Sequence, residues 1–596
     1  MCEWKRIDRV ALCRKSRAVQ LCRNGPYSNE NAPESPDCTA RFKVAMDSAL
    51  APMMAFVCTS SSTAEGTRDA PAPTSLWILT GALLWALTAP GHANPAPPND
   101  NAQVPPQCYV DTSGGHNACY TCHQSHTVPS PPNRVGDGWQ QNRLPSGPDL
   151  SRNPWRNLVV PPEPRSPLPH PLDDWLRVDN YAAGLSAGTQ PRMPAVHGYS
   201  QGAAAFQTDG FAKDGSGWVA IRYKPFPGEF WPTNGSFGDV LIRLPARFRQ
   251  RQGTTDQATY RMNLALLELQ ILGLEAVSIR AVEEAQFGAD LDGDGRLGTA
   301  LRLTDRERYF GDAQSTATQP MVYPEGTEFL HALRYPAVNA NGRVVPSRRF
   351  KELRYMRKLR VLSTAELDSR LGNERQEQVE GSGFVLTRND SGFYDNRFGW
   401  EIGGWIEARD GHLRVQTAEE TRFCLGCHGF IGTPIDSTFA FARKLPGPAG
   451  WRYQQVRGLP DAANRGGQTA EYAEYLQRTG GWDEYESNSE LHANWQRNAT
   501  GTLNDISRLI VPSPKRARAL SRAYLSIVAS QNFRLGRTAL TAAGARVMTA
   551  TDGALPLPRS ARIDDWDLRL DWTRVPLPVA PPPKAEAIAE PHGQSD

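Results

Sequence analysis

Two short segments of this 596-residue chain carry the same order of reactive side chains: cysteine, two other residues, cysteine, histidine. The residues concerned are Cys119, Cys122 and His123 in the first copy and Cys424, Cys427 and His428 in the second. Cys-x-x-Cys-His is the attachment signature of c-type haem. Two thiols at this spacing can add to the two vinyl groups on one edge of a porphyrin, and the histidine that follows becomes an axial ligand of the iron. The sequence therefore predicts two covalently bound haems c.

Two other chemistries also use paired cysteines. A thioredoxin-like redox pair needs one Cys-x-x-Cys near a βαβ unit, and neither copy follows a strand in such a context. A zinc site could recruit both pairs as four thiolate ligands. Zinc has no need of a histidine at the same following position in both copies, so the shared His123 and His428 favour haem.

An apolar run from Trp77 to Ala89 is too short to cross a bilayer but has the length of a signal-peptide core. Small residues at Gly91 and Ala93 follow it, so residues 75–93 are predicted to be a signal peptide and the mature chain to begin near Asn94. Residues 1–74 are interpreted as an upstream extension that results from a start codon assigned too early. Without them, Cys108 is the one cysteine outside the two motifs, so no disulfide framework is expected.

The bulk composition is that of a globular protein, with 39% hydrophobic and 22% charged residues. A net charge of +3 is nearly balanced and gives no polybasic signal for nucleic acid. Together with the short apolar run, this composition predicts neither a nucleic-acid partner nor a transmembrane span in the mature chain.

On its two pentapeptides and its export signal, the sequence resembles the bacterial dihaem c-type cytochromes. The resemblance covers little of the roughly 300 residues between the motifs. It implies a periplasmic protein that transfers single electrons between periplasmic redox partner proteins. The same resemblance leaves open a haem-based, peroxidase-like oxidoreductase in which one iron keeps an open position, or a subunit that docks on a larger redox complex. No catalytic residue is predicted.

The resemblance also implies a second axial ligand for each iron. For the first haem the candidate is Met193, which precedes Pro194 as in the Met-Pro loops of small cytochromes c; His126 is the alternative, and His116 and His197 are weaker. For the second haem the sequence leaves three candidates open, as well as an open iron. These candidates are His331, His492 and Met548.

The segment ADLDGDGRLGTA resembles the first half of an EF-hand calcium loop. Asp290, Asp292 and Asp294 stand at alternate positions before Gly295, so their carboxylates can converge on one hard cation. Leu301 occupies the position of the bidentate glutamate, so the usual last ligand is missing. A structural calcium ion is predicted, and an acidic turn without metal is the alternative.

The predicted fold class is α+β and loop-rich, with cytochrome c-like haem-binding segments flanking a central mixed α/β region. The predicted segments are 94–200 with the first haem, 201–415 with the calcium loop, 416–575 with the second haem and mainly helical, and 576–596 as a disordered tail. Predicted elements are strands in 217–245, a helix in 259–277, a hairpin around an Asn-Gly turn in 328–362, strands in 382–415 and a helix in 513–533. Four tryptophans are expected in the core: Trp218, Trp231, Trp400 and Trp405.

Overall fold

The structure is a computed structural model in which the chain divides into two units, Met1–His92 and Ala93–Asp596. The residues that it describes are 106–111, 153, 155–159, 171–228, 231–380, 386–429, 435–479, 503–538, 547–549 and 567–577, all in the second unit. Several predictions fall outside the described residues: the signal peptide, the upstream extension, the C-terminal tail, the first Cys-x-x-Cys-His motif, His116, His126 and His492.

A large antiparallel sheet occupies the centre of the described region. Its seven strands run in the order β1-β2-β7-β8-β10-β11, with β9 paired to β10. All the strands are β1 Val219–Ile221, β2 Phe237–Arg243, β3 Gln250–Arg251, β4 Thr254–Thr255, β5 Ala276–Glu283, β6 Thr299–Thr304, β7 Glu328–Val338, β8 Val344–Lys358, β9 Tyr394–Asp395, β10 Trp400–Glu407 and β11 Leu413–Val415. Strands β3–β4 and β5–β6 form two separate hairpins.

Helices pack around this sheet. They are α1 Arg156–Val159, α2 Leu172–Arg177, α3 Asn180–Ala187, α4 Gln257–Leu272, α5 Thr364–Glu380, α6 Ala418–His428, α7 Glu471–Thr479, α8 Ser507–Ile510 and α9 Pro514–Ser530. Helix α4 begins where the Asp256 carboxylate accepts from the Ala258 and Thr259 amides, and it ends at Gly273, whose φ of 59° is left-handed. Among the described residues, no helix is both long enough and apolar enough to cross a membrane.

Both faces of the sheet are buried, and each has its own core. Because side chains alternate along a strand, Phe329 and Leu330 of β7 point to opposite faces. On the first face, Phe329 shares a core with Leu266 of α4 and Leu425 of α6. On the second face, Leu330 packs with Trp405 and with other buried residues that include Met193.

The sequence predicted the class and most of these elements correctly. The α+β class is confirmed, as are the helix in 259–277, the Asn-Gly hairpin between β7 and β8, and the helix in 513–533. The core position of all four tryptophans is also confirmed, because each is fully buried. Within the residues that the structure describes, no cytochrome c-like segments flank a central region. Helix α6 instead contributes Cys424 and Leu425 to the core of the central sheet.

A buried ion network joins α7 to the residues that precede β2. The Glu471 carboxylate accepts from Lys224 Nζ at 2.8 Å and from Arg443 Nη1 at 2.6 Å, and all three side chains are buried. Burial by itself would raise the pKa of Glu471, but the two cations outweigh it and lower the pKa to about 2. Glu471 is therefore ionised in the folded protein throughout the neutral range.

We expect Glu471→Gln to lower the free energy of unfolding at pH 7 by about 3–5 kcal/mol, because it takes the carboxylate away from buried Arg443 and leaves buried Lys224 with its pair to Asp461. The wild-type contribution is full above the unfolded pKa of about 4.3 and is lost as the pH falls toward 2. Urea unfolding from pH 7 to pH 3 would measure both effects. Glu474→Gln on the same helix is the control, because Glu474 and Arg478 are partly exposed and a loss of under about 1 kcal/mol is expected. Equal losses in the two variants would contradict this account.

Candidate functional site

The second Cys-x-x-Cys-His motif forms the last turn and a half of α6. The helix begins with a capping box in which the Thr417 hydroxyl accepts from the Glu420 amide at 3.2 Å and the Glu420 carboxylate accepts from the Thr417 amide at 2.9 Å. It ends at His428. Helical spacing therefore places Cys427 and His428 one turn beyond Cys424, on the same side of the helix.

The two thiols of this motif lie in different environments. Cys424 is 3% exposed and belongs to the core of the first sheet face, whereas Cys427 is half-buried. Neither cysteine forms a disulfide. Burial raises the pKa of the Cys424 thiol, although Arg354 and Arg537 lie close enough to oppose that rise. The raised pKa favours the neutral thiol of Cys424 over its thiolate.

His428 is held at both its main chain and its ring. Asn396 Nδ2 donates to the His428 carbonyl oxygen at 2.9 Å, and His428 Nδ1 lies 2.9 Å from the carbonyl oxygen of Ser437. A carbonyl can only accept, so Nδ1 carries the proton and Nε2 carries the lone pair. Burial lowers the pKa of His428 to about 4, with Arg354 acting in the same direction, so the ring is neutral at pH 7. A neutral imidazole oriented through Nδ1 is the usual state of a metal-ligating histidine.

His331, one of the three candidates for the second axial position, lies on the sheet face that α6 covers. It is cross-strand partner to Arg354 of β8, and the Arg354 guanidinium lies 5.6 Å from the centre of the Phe423 ring in α6. Burial, with the neighbouring Arg354 and His428 acting in the same direction, lowers the pKa of His331 to about 3. The structure therefore brings His331 into the electrostatic neighbourhood of His428, from which it is separated by about a hundred residues of sequence.

Residues on both sides of the first motif pack against the same helix. Tyr109 and Val110 precede that motif, Trp155 follows it, and all three are buried in one cluster with Phe423 of α6. The rings of Trp155 and Phe423 meet edge to face at a centroid distance of 5.4 Å. Cys108, which the sequence left unexplained, is a buried member of this cluster.

The two methionine candidates lie elsewhere. Met193 is buried in the core of the second sheet face, where its methyl group fills the space that a side chain at Gly184 would need. That packing accounts for its burial, and its pairing with the first haem stays a prediction because the first motif lies outside the described residues. The Met548 amide donates to the Tyr109 carbonyl at 2.7 Å, which places Met548 beside the segment that leads to the first motif.

The predicted calcium loop connects β5 to β6, and its acidic group differs in one member from the predicted triad. Ligand oxygens of Asp290 and Asp292 converge with one of Glu284, all within 4.8 Å of one another. The Asp294 carboxylate instead accepts from the Arg296 amide at 2.8 Å within the turn. Gly295 has a φ of 82°, the left-handed conformation that an EF-hand-like turn requires at this position.

Backbone amides already hold the carboxylates of this group. Glu284 accepts from the Leu291 amide at 2.5 Å and from the Gly298 amide at 2.7 Å, and Asp290 accepts from the Gly295 amide at 2.8 Å. These bonds lower the pKa values of Glu284 and Asp290. Sequence reasoning missed Glu284 because it lies outside the loop motif. In the described part of the chain, no other set of three or more His, Cys, Asp or Glu side chains converges in this way, so Cys424, Cys427 and His428 do not form a ready zinc site.

In the haem-free chain, we expect iodoacetamide at pH 8 to modify Cys427 before Cys424, because Cys424 is buried and its thiol has a raised pKa. Peptide mass spectrometry at successive times would measure the two rates. The chain denatured in guanidinium is the control, and there the two rates should become similar. Faster modification of Cys424 in the folded chain would contradict the arrangement of α6.

Comparison with known proteins rests on most of the length of the chain rather than on its short motifs. Residues 93–508 match a family model described as a "-like lipoprotein". An uncharacterized lipoprotein of Aquifex aeolicus (strain VF5) is 30% identical over 509 residues, which cover 74% of this chain and 86% of the relative. No solved structure matches the chain.

These matches correct the family resemblance on which the sequence interpretation rested. The identification with the bacterial dihaem c-type cytochromes is wrong, because the family that covers most of the chain is a lipoprotein family, whose description names neither cytochrome, haem nor electron transport. A five-residue motif is recognised locally and is not a measure of common ancestry over hundreds of residues. Lipoproteins are exported and membrane-anchored, so the expectation of export agrees with the family at that level. By the extent of both matches, the chain belongs to this lipoprotein family.

Proposed function

We propose that this protein is an exported, haem-carrying member of its lipoprotein family that passes single electrons between partner proteins in the periplasm. In this proposal both Cys-x-x-Cys-His motifs hold covalent haem c, with Cys119, Cys122 and His123 at the first and Cys424, Cys427 and His428 at the second. The proposal rests on motif chemistry and site geometry, not on membership of a cytochrome family. The observation that carries it is the bond from His428 Nδ1 to the Ser437 carbonyl.

The residues of the second motif fit a haem in three respects. Cys424 and Cys427 form no disulfide and lie one helical turn apart, as thioether formation requires. The His428 ring is neutral and turns its Nε2 lone pair away from the Ser437 carbonyl, which is the state of an axial ligand. When bound, haem iron supplies a one-electron couple, and the protein's part is to fix the ligand and to exclude water around it.

Transfer between two haems requires the two motifs to be neighbours, and contacts among described residues support this. Tyr109, Val110 and Trp155 flank the first motif and pack on Phe423, which is adjacent to Cys424. Cys119 is eight positions after Asp111, and a fully extended chain over eight positions spans at most about 29 Å. The described segments on both sides of the first motif thus share one hydrophobic cluster with the helix of the second motif, despite their separation in sequence.

We assign His331 as the second residue of the chain that would hold the iron of a haem at the second motif. It is on the sheet face covered by α6, beside Arg354 and within the electrostatic range of His428. A histidine on each side of the iron would leave no open position for a substrate. This arrangement favours electron transfer over the alternative, a peroxidase-like oxidoreductase with an open iron.

Covalent haem is tested on the full chain produced with haem maturation and export. Wild type should gain the mass of two haems and stain for haem after denaturing electrophoresis. Cys424→Ala combined with Cys427→Ala should lose one haem. Cys108→Ala is the matched control, because Cys108 is a buried cysteine outside both motifs, and the variant should retain two haems. A colourless wild-type protein of unmodified mass would refute the proposal.

Electron transfer is distinguished from peroxidase-like chemistry by electron paramagnetic resonance of the oxidised protein. With His331 as a ligand, the second haem should be low-spin, and His331→Ala should convert it to a high-spin form that binds cyanide. His412→Ala is the control, because His412 is exposed on the β10–β11 turn. A high-spin signal in the wild type that binds cyanide or peroxide would favour the oxidoreductase, and an unaltered signal in His331→Ala would exclude His331 as the ligand.

Calcium at the β5–β6 loop is a structural part of the same proposal. Three carboxylates that converge within 4.8 Å repel one another, and a hard cation between them would relieve that repulsion. Leu291 anchors the loop in the core of the first sheet face, so calcium there would stabilise the fold rather than regulate it.

Calcium added to the EDTA-treated protein should raise its melting temperature by several degrees, because the ion binds only the folded loop. Glu284→Gln should abolish this rise, whereas Asp294→Asn should retain it, because Asp294 is outside the converging group. Differential scanning calorimetry would measure all three proteins. The opposite pattern would favour the triad read from the sequence, and no rise in wild type would refute the calcium site.

A further inference from the structure

The carbonyl that orients His428 belongs to a turn with an unusual backbone. Ile435 and Thr438 pair through two main-chain hydrogen bonds of 3.0 Å, and between them Asp436 and Ser437 have φ values of 47° and 60°. Two consecutive left-handed residues are the signature of a type I′ turn, for which Asn-Gly is the favoured pair. Left-handed backbone at a residue with a Cβ costs about 1–2 kcal/mol, so something outside the turn must hold it.

Contacts of the Asp436 side chain with the sheet keep this turn in its left-handed conformation. Its carboxylate, which is 3% exposed, accepts from three donors: the ammonium group of Lys358 at the end of β8, Trp400 Nε1 at 3.3 Å, and the Tyr323 amide at 3.0 Å. Lys358 and Trp400 are themselves buried in the sheet. Strand β8, strand β10 and the segment before β7 therefore all fix the same carboxylate.

Trp400 links this turn to the other anchor of His428. Asn396 donates to the His428 carbonyl, and its own Oδ1 accepts from the Phe398 amide at 2.8 Å and from the Trp400 amide at 3.0 Å. Trp400 therefore supports both contacts of His428. Its amide donates to Asn396, which contacts the His428 main chain, and its indole donates to Asp436, which fixes the turn that contacts the His428 ring. No residue of this arrangement apart from His428 belongs to the Cys-x-x-Cys-His motif.

We propose that Asp436 is a positioning residue: its buried pair with Lys358 holds the Asp436–Ser437 turn so that the Ser437 carbonyl orients and polarises His428 toward the haem of the second motif. This inference rests on the proposed function. A stronger acceptor at Nδ1 makes Nε2 a better electron donor, which stabilises ferric iron over ferrous iron. Loosening the turn should therefore make the second haem easier to reduce.

The competing explanation is that Lys358 and Asp436 merely stabilise the fold. A matched pair separates the two explanations: Lys444 and Glu268 are a buried lysine and carboxylate 2.7 Å apart, with both side chains fully buried. No hydrogen bond connects them to the motif among the described residues. Loss of either carboxylate removes a buried ion pair. Only Asp436, however, fixes the turn whose Ser437 carbonyl accepts from His428.

The test compares Asp436→Asn and Glu268→Gln in the full, haem-loaded chain by redox titration of the second haem and by urea unfolding. Both variants should be less stable. Asp436→Asn should raise the ratio of reduced to oxidised second haem at a fixed potential by threefold to tenfold, where tenfold is about 59 mV for a one-electron couple. Glu268→Gln should leave the ratio unchanged. An unchanged ratio in Asp436→Asn, or an equal shift in both variants, would overturn the inference.

Two milder variants keep the test decisive if Asp436→Asn fails to fold. Trp400→Phe removes only the indole donor to Asp436 and should shift the ratio in the same direction by a smaller factor. Ser437→Gly keeps the carbonyl and accepts the left-handed backbone, so it should retain the wild-type ratio. A wild-type protein without haem would refute the proposed function, whereas haem-loaded variants with unshifted titrations would refute only the role of Asp436.

Discussion

The buried ion pair between Lys358 and Asp436 is the contact on which the geometry of the second motif depends. A carboxylate removed from water is stable as an anion only when cations and hydrogen-bond donors surround it, and here one lysine, one indole and one amide do so. Those donors come from the rigid sheet. The left-handed turn that they fix presents its carbonyl to His428, and the position of the imidazole follows from the sheet rather than from α6 alone.

The same sheet explains why the motif does not sit in a domain of its own. Helix α6 contributes its apolar residues to a core that also contains α4 and the strands β7, β8 and β10. Residues that flank the first motif reach the opposite side of α6 through Phe423. Segments separated by hundreds of residues are therefore parts of one packed structure, and the predicted arrangement of haem segments on either side of an independent region does not describe it.

Family membership and the haem motif give different kinds of information about this protein. Family membership follows from similarity along most of the chain, and it carries export and membrane anchoring but no chemistry. The motif indicates a chemistry, but its two copies comprise only ten residues. The contacts of His428 are the structural observation that bears on the motif: its main chain and its ring nitrogen are both held by residues outside the motif.

Local patterns in the sequence were sufficient for several features. Alternating apolar residues and an Asn-Gly pair determined the β7–β8 hairpin, helical periodicity with a terminal glycine determined α4, and cysteine spacing singled out Cys424, Cys427 and His428. These features depend on residues within one or two turns of each other, so a linear reading contains the necessary information.

Only the tertiary structure decided the surroundings of these features. The Glu284 carboxylate lies beside those of Asp290 and Asp292 because the β5–β6 hairpin brings the three residues together. His331 lies on the sheet face covered by α6 because of its position in β7. The roles of Asp436 and Lys358 have no signal in the sequence, where 78 residues separate them. A buried charge depends on what lies around it in space, and neither spacing nor periodicity along the chain records that.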